Sequence, residues 1–373
     1  MRLSCLQENL RSGLAIVGRA VATRTTLPIT QNVLISTDQG RLKLTATNLE
    51  VAITTWIGCQ IEEEGTITIP ARLLTDFVNS LPNERIDISG VEQPLGLSLT
   101  CGKFQATIHG ADAEDYPPIP SVKSGITGKI HAEVLRDAIG HVAFAAATED
   151  SRPVLTGVKV DIKGDDFTFA SADGFRLAVY TGKLAEKAKE DSSFIIPARS
   201  LAEVNRLTTP QSEPVEFMTT QARSQALFLL DNIQLVSQLI QGTSPNYQQL
   251  IPQKHETRAV MDLGQFQRAA RTASIFARDG SGIVRLQVSA ADGRVSISSR
   301  AEEIGENTGD VEAKVEGDDS KIAFNSKYLS EVLDVLGSGE VALETTSPSS
   351  PGVLRRVDKE GYTHVVMPMF VQW

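Results

Sequence analysis

Five histidines, three cysteines and a few carboxylate clusters are the residues of this chain that could do chemistry. His109, His131, His141, His255 and His364 are scattered, without the short, regular spacing that holds a metal ion. Cys5, Cys59 and Cys101 lie far apart and are odd in number. They suggest neither a zinc knuckle nor a disulfide framework, and a reducing cytoplasm suits them best. There is no Walker loop, dinucleotide-binding glycine fingerprint, nucleophile elbow, zinc-protease helix or paired CxxC. Asp173-Gly174 reads as a plain turn and Glu62-Glu63-Glu64 as a solvated loop. A hydrolase or transferase on this chain would have to gather its carboxylates from distant segments. No metal or cofactor is expected.

The whole chain sets further bounds. Its 373 residues suggest two to four domains, at roughly 100–200 residues each. With 41% hydrophobic and 22% charged residues, the balance is that of an ordinary globular protein. The opening stretch MRLSCLQENLRSG lacks the apolar run of a signal peptide. No segment approaches the roughly 18 apolar residues of a membrane span. A net charge of −10, taken alone, opposes a protein that grips nucleic acid by charge.

The elements that would position any site recur. Ile69-Pro70-Ala71-Arg72-Leu73-Leu74, Ile196-Pro197-Ala198-Arg199-Ser200-Leu201 and Phe324-Asn325-Ser326-Lys327-Tyr328-Leu329 each run a short apolar strand into a helix. Pro70, Pro197 and Asn325 fall 127 and 128 residues apart. Asn can cap a helix as Pro can begin one. A second helix repeats in phase: Leu10, Leu14, Val17 and Val21 form one stripe, as do Leu135, Ile139 and Val142, and then Phe266, Ala270, Ala273 and Ala277. Runs such as 42–46, 51–56, 167–170, 176–180, 284–288 and 295–298 are β-rich and separated by turn residues. The expected fold is α+β, three repeated modules each with two helices on one face of an antiparallel sheet. The boundaries fall near 125, after the run Pro117-Pro118-Ile119-Pro120-Ser121, and near 254, after Pro252. The modules are then 1–125, 126–253 and 254–373.

Charge follows the same division. The six helical segments (7–24, 67–81, 131–147, 195–207, 261–278 and 321–336) carry a net charge of +4, leaving −14 for everything else. If all six faced one cavity, it would attract DNA while the exterior repelled it.

Several stretches resemble the bacterial DNA polymerase III β subunit family, the sliding clamps. They are Arg24 to Ile29, Arg152 to Val158, Ser171 to Ala178, Pro245-Asn246-Tyr247 with Ile251-Pro252, and Tyr362 followed by Val365-Val366-Met367-Pro368-Met369. The resemblance implies a ring-forming, head-to-tail homodimer of the DNA clamp fold. Such a ring encircles double-stranded DNA without sequence preference and tethers the polymerase, with no catalysis of its own. It also implies an apolar pocket for short peptide motifs of the polymerase III catalytic subunit and the clamp loader. By position the pocket would use Leu155, Ala172, Gly174, Phe175, Arg176, Leu177, Pro245, Gln249, Leu250, Val365, Met367, Pro368 and Met369. Ala172, Phe175 and Gln249 stand where the family often has Thr, His and Arg, so the pocket should be less polar. The chain runs past Met369 as Phe370-Val371-Gln372-Trp373, and Trp373 is expected to cover part of the pocket. The dimer contact would use Phe104 and Ile108 at one end and Ile275 and Phe276 at the other. Arg24, Arg72, Arg199 and Lys327 are the candidate phosphate contacts. The alternatives are a triplicated protein-interaction scaffold that does not encircle DNA, or an uncharacterised hydrolase or transferase.

Overall fold

The computed structural model describes every residue except 120–124, 150, 212, 221–223, 279 and 304. The predicted first boundary lies partly in 120–124 and so outside the described residues. Six helices are present: α1 (Gln7–Val17), α2 (Ala71–Ser80), α3 (Ala132–Val142), α4 (Ala198–Leu207), α5 (Leu263–Arg278) and α6 (Ser326–Leu336). Leu10, Leu14 and Val17 are buried along α1 as the stripe predicts. The helix is shorter than expected, however. It tightens into a 3-10 turn at Gly18–Ala20, and Val21 lies beyond it in extended backbone. At the third strand–helix junction, the Asn325 side chain accepts hydrogen bonds from the N–H groups of Lys327 and Tyr328. Asn325 thus satisfies two of the donors left open at a helix start.

Each repeat also contains a strand that the apolar pattern hid. Arg2–Leu6, Ile126–Ile130 and Thr257–Asp262 run directly into α1, α3 and α5. The common order is strand, helix, four strands, helix, three strands, with one extra short strand, Gln60–Glu63, in the first copy. All named strand pairs are antiparallel, within sheets of five, eight and twelve strands. The chain packs as two compact units. Unit 1 is 1–133, 185–189 and 200–239; unit 2 is 134–184, 190–199 and 240–373. The five- and eight-stranded sheets belong to the first and the twelve-stranded sheet to the second.

The sheets cross repeat boundaries by one rule. In the first repeat, Val51–Gly58 pairs with Ile233–Gln238, the last strand of the second repeat. In the second, Arg176–Lys183 pairs with Tyr362–Val366, the last strand of the third. The corresponding strand of the third repeat is Gly305–Gly317. Its residues 313–317 pair with Thr257–Asp262, but residues 305–312 pair only with Arg294–Ala301. Phe104–His109, the last strand of the first repeat, is likewise at the end of its sheet.

Most other sheet ends are closed by short backbone straps. Thr68 bridges Ala111, the Ile240 N–H donates to Ile195 O, and the Met369 N–H donates to Ala323 O. Ala111, Ile240 and Met369 are 129 residues apart, so the same point of each repeat covers the same strand edge. Ile126–Ile130 is strapped at Lys129, whose carbonyl accepts from the Ala185 N–H.

Glycine sets how closely some aromatics pack. Gly128 and Gly182 lie opposite Phe217 and Phe167 on neighbouring strands. A β-carbon at Gly352 would come within 2.4 Å of the ring tip of Phe324, which is fully buried and cannot retreat. Gly352→Ala is therefore expected to destabilise the fold by about 1–3 kcal/mol. A lowered melting temperature in scanning calorimetry is the measurement.

Candidate docking site

The sequence-predicted pocket residues converge within the second unit. Strand Asp166–Ala172 turns into Arg176–Lys183 through Asp173 and Gly174. Gly174 adopts φ +95°, a conformation that side-chain-bearing residues rarely tolerate. The Asp173 carboxylate accepts the N–H groups of Phe175 (2.8 Å) and Arg176 (3.0 Å), which fixes the turn. The Phe175 carbonyl accepts the Met367 N–H at 2.8 Å, tying the turn to the C-terminal segment.

Beneath this turn, Leu177 and Val365 pack with Ala170, Val179, Val353 and Tyr247, and Ala172 and Ile251 lie against them. Tyr247 comes from the 3-10 turn Tyr247–Leu250, capped by Asn246, and its hydroxyl reaches Asp161 at 3.2 Å. Burial, with the charge of Asp161, pushes that hydroxyl up to about 12, so it stays a neutral donor. Three predicted residues remain outward-facing apolar surface: Phe175, Leu250 and Met367 are 56%, 51% and 43% exposed. Isolated exposed apolar residues are ordinary, but an apolar floor with exposed apolar side chains from its own segments suits docking. Pro245 and Gln249 are exposed on the same short segment as Leu250. Leu155 is half-buried in the 3-10 turn Pro153–Thr156, and Pro368 is buried.

Three expectations are corrected. Arg176 does not line the surface. It is 7% exposed and its guanidinium is fully engaged. Nε donates to Asp173 at 3.1 Å, one terminal nitrogen to Glu331, and the other to the Phe144 carbonyl at 2.8 Å. The plane sits over the rings of Phe144 (5.1 Å) and Tyr328 (4.6 Å). Trp373 does not cover the patch either. Met369 is held on the edge strand Ser320–Asn325, and the chain continues along it until Trp373 meets the Lys321 ammonium at 5.7 Å. Finally, Ile108 is 3% exposed, packed in its own sheet, and offers no contact surface, whereas Phe104 is 54% exposed. Ile275 is 55% exposed and Phe276 half-buried.

The sequence reading missed Tyr328, whose ring stacks on Phe175 at 6.2 Å, and the floor residues Val353 and Val179. For Tyr328, the signal was its place on the third repeated strand–helix motif, one turn from the candidate cation Lys327. All four candidate cations are exposed. Arg72, Arg199 and Lys327 each occupy the second residue of α2, α4 and α6.

Behind the patch runs a polar chain that resembles acid–base machinery. The Asp137 carboxylate accepts from Tyr180 (2.9 Å) and Lys359 (2.6 Å) and lies 3.3 Å from His141. His141 meets the Tyr362 ring edge-on at 4.7 Å, and the Tyr362 hydroxyl is 3.0 Å from His364 Nδ1. His364 stacks on Phe144, is fully buried, and its Nε2 has no hydrogen-bond partner. Burial would raise the Asp137 carboxyl, but Lys359, His141 and Tyr180 hold it below its ordinary value. Burial first, and then the Arg176 charge, depress His364 to about 3. A neutral, enclosed imidazole facing aromatic rings is a packing element, out of a substrate's reach.

Its acid behaviour follows. Unfolded, the imidazole binds a proton below about 6.5; folded, it does so only near 3. The stability it contributes is present above about pH 6.5 and is lost as pH falls toward 3. Melting temperature should therefore decline between pH 6.5 and 4.5, and His364→Leu should flatten that part of the profile.

The fold and this site define a class: a non-catalytic scaffold of three like modules with an apolar docking patch. Models of the DNA polymerase III beta subunit match the chain in three pieces, the N-terminal domain at 1–120, the central domain at 129–246 and the C-terminal domain at 248–370. The beta sliding clamp of Synechococcus elongatus is 30% identical over 99% of both chains, and that of Staphylococcus aureus 31% identical over 94% of both. Among solved structures, the sliding clamp of Bacillus subtilis superposes with a TM-score of 0.95 at 27% identity over all of both chains. The beta subunit of Pseudomonas aeruginosa gives 0.93 at 29%, also over all of both. The chain belongs to the DNA polymerase III beta subunit family, the bacterial sliding clamps.

Proposed function

We propose that two copies of this chain close head to tail into a ring that encircles duplex DNA and tethers the replicative polymerase. The observation that carries the ring is the unused strand pairing. Within the chain, the third strand after the first helix of one repeat pairs with the last strand of the next repeat, twice. The third such pairing lacks a partner on both sides, at residues 305–312 and at Phe104–His109. A second copy supplies what each lacks, and rotationally related contacts of this kind close rather than propagate. Glu306, Asp310 and Glu312 are exposed along the first edge. They repel a copy of the same edge and accept a strand without carboxylates, as Phe104–His109 is. Phe104 at one end, and Ile275 and Phe276 at the other, are the apolar contacts.

Duplex DNA is held loosely, through phosphates alone. Arg24, Arg72, Arg199 and Lys327 are the contacts we assign. A cation in the first turn of a helix opposes the helix dipole, so helix stability does not explain its recurrence in α2, α4 and α6. A phosphate there meets both the side-chain charge and the open N–H groups of the helix start. Few such contacts on a chain of net −10 leave the ring free to slide. Linkage then comes from topology rather than affinity.

The apolar patch around Phe175, Leu250 and Met367 takes short peptide segments of the polymerase III catalytic subunit and of a clamp loader. We place the module boundaries near 125 and 254, and the protein in the cytoplasm, where its three free cysteines stay reduced.

Small-angle scattering on an absolute scale should give twice the 40.3 kDa chain mass and a hollow particle. Replacing Ile275 and Phe276 together by Glu should give monomers; a dimer at low micromolar concentration would refute the assigned contact. Arg72→Gln should lower the salt slope of DNA binding by roughly 0.9. An unchanged slope would remove that contact.

A further inference from the structure

Arg176 and Lys327 belong to two different proposed surfaces, and one carboxylate meets both. Glu331 lies on α6, one turn beyond Lys327. Its Oε2 accepts a hydrogen bond from the buried Arg176 guanidinium, while its Oε1 lies 3.9 Å from the Lys327 ammonium. The two cations differ in environment. The Arg176 side chain is 6% exposed and that of Lys327 is 74% exposed. Removing the partner of a buried charge is costly, whereas an exposed lysine pair contributes little.

Arg176 is the fastener of the docking turn. It joins Asp173 within the turn, the Phe144 carbonyl after α3, and Glu331 on α6. Tyr328, on the same turn of α6, stacks on Phe175 and lies over the same guanidinium. The exposed ring of Phe175 is thus oriented by α6 through two adjacent side chains. Loss of the carboxylate would leave Arg176 with an unpaired charge and the turn with one anchor fewer. On the other side, Glu331 partly neutralises Lys327 and competes with any phosphate for it.

We propose that Glu331 is a positioning residue of the docking patch, and that it links the patch to phosphate binding at Lys327. The inference rests on the proposed roles of both surfaces. A phosphate drawing Lys327 away leaves Glu331 to Arg176 alone, which tightens the docking turn. By reciprocity, an occupied and ordered patch favours phosphate at Lys327. The linkage predicts opposite signs for one substitution. Glu331→Gln keeps the shape of the side chain but removes its charge. Peptide binding should weaken roughly fivefold, while DNA association at low salt should strengthen about twofold.

The test uses the full-length wild-type protein and Glu331→Gln. Fluorescence anisotropy measures a labelled peptide copying the C-terminal tail of the organism's polymerase III catalytic subunit, and separately a labelled duplex. Hydrogen exchange at the Phe175 and Arg176 amides is followed with and without duplex. Weaker peptide binding, stronger duplex binding and faster amide exchange in the variant support the proposal, as does duplex slowing the exchange in the wild type only. Unchanged peptide affinity and exchange, or a parallel loss of both affinities with a lower melting temperature, overturns it. Should the wild type fail to bind the peptide, the docking reading itself falls, and the duplex-dependent exchange alone decides whether Glu331 links the two sites.

Discussion

Antiparallel backbone pairing across repeat boundaries is the interaction on which everything else depends. Strands Val51–Gly58 and Arg176–Lys183 each find their outer partner in the next repeat, at Ile233–Gln238 and Tyr362–Val366. A strand with one open side leaves a row of N–H and C=O groups that must be satisfied somewhere. Pairing outside the repeat therefore gives each module its neighbour as part of its own sheet. The second of these joins also builds the docking patch. Val365 reaches Leu177 because Leu177 is its register partner, and the Met367 N–H reaches Phe175 O just past the end of the same ladder.

Electrostatics is divided along the same architecture. The chain is acidic overall, yet cations stand at the start of α2, α4 and α6. Placing charge where the helix does not want it concentrates attraction at three equivalent points. The buried charges serve a different end. Arg176 is bound on all sides by Asp173, Glu331 and Phe144, and gains nothing from solvent. One kind of cation is available to a ligand, and the other holds the scaffold's shape.

Much of this was legible in the sequence because repetition supplies its own control. The motif at Ile69, Ile196 and Phe324 marked three strand–helix junctions, and all three lie where expected. The resemblance gathered Leu177, Val365, Phe175 and Met367 correctly. What failed was direction. Arg176 was assigned to the surface from its position in a motif, but a guanidinium flanked by Phe144 and Tyr328 finds its partners inward. Ile108 alternates with its neighbours along a strand, and one residue of register separates contact surface from core. The strands preceding α1, α3 and α5 were invisible because five or six residues joined to an amphipathic helix carry too little period of their own.

The straps at Ala111, Ile240 and Met369 set the valence of the molecule. Each closes a sheet edge that would otherwise recruit any passing strand, so the chain keeps one long open edge on Gly305–Gly317 and one on Phe104–His109. Two unlike sticky ends per molecule give a monomer unit that can only be consumed in sequence, and a pair of such units has no end left over. The C-terminal segment, which looks like a dispensable tail, is therefore a stopper. Cutting the chain before Met369 would add a third valence, and the smallest saturated assembly would no longer be a pair.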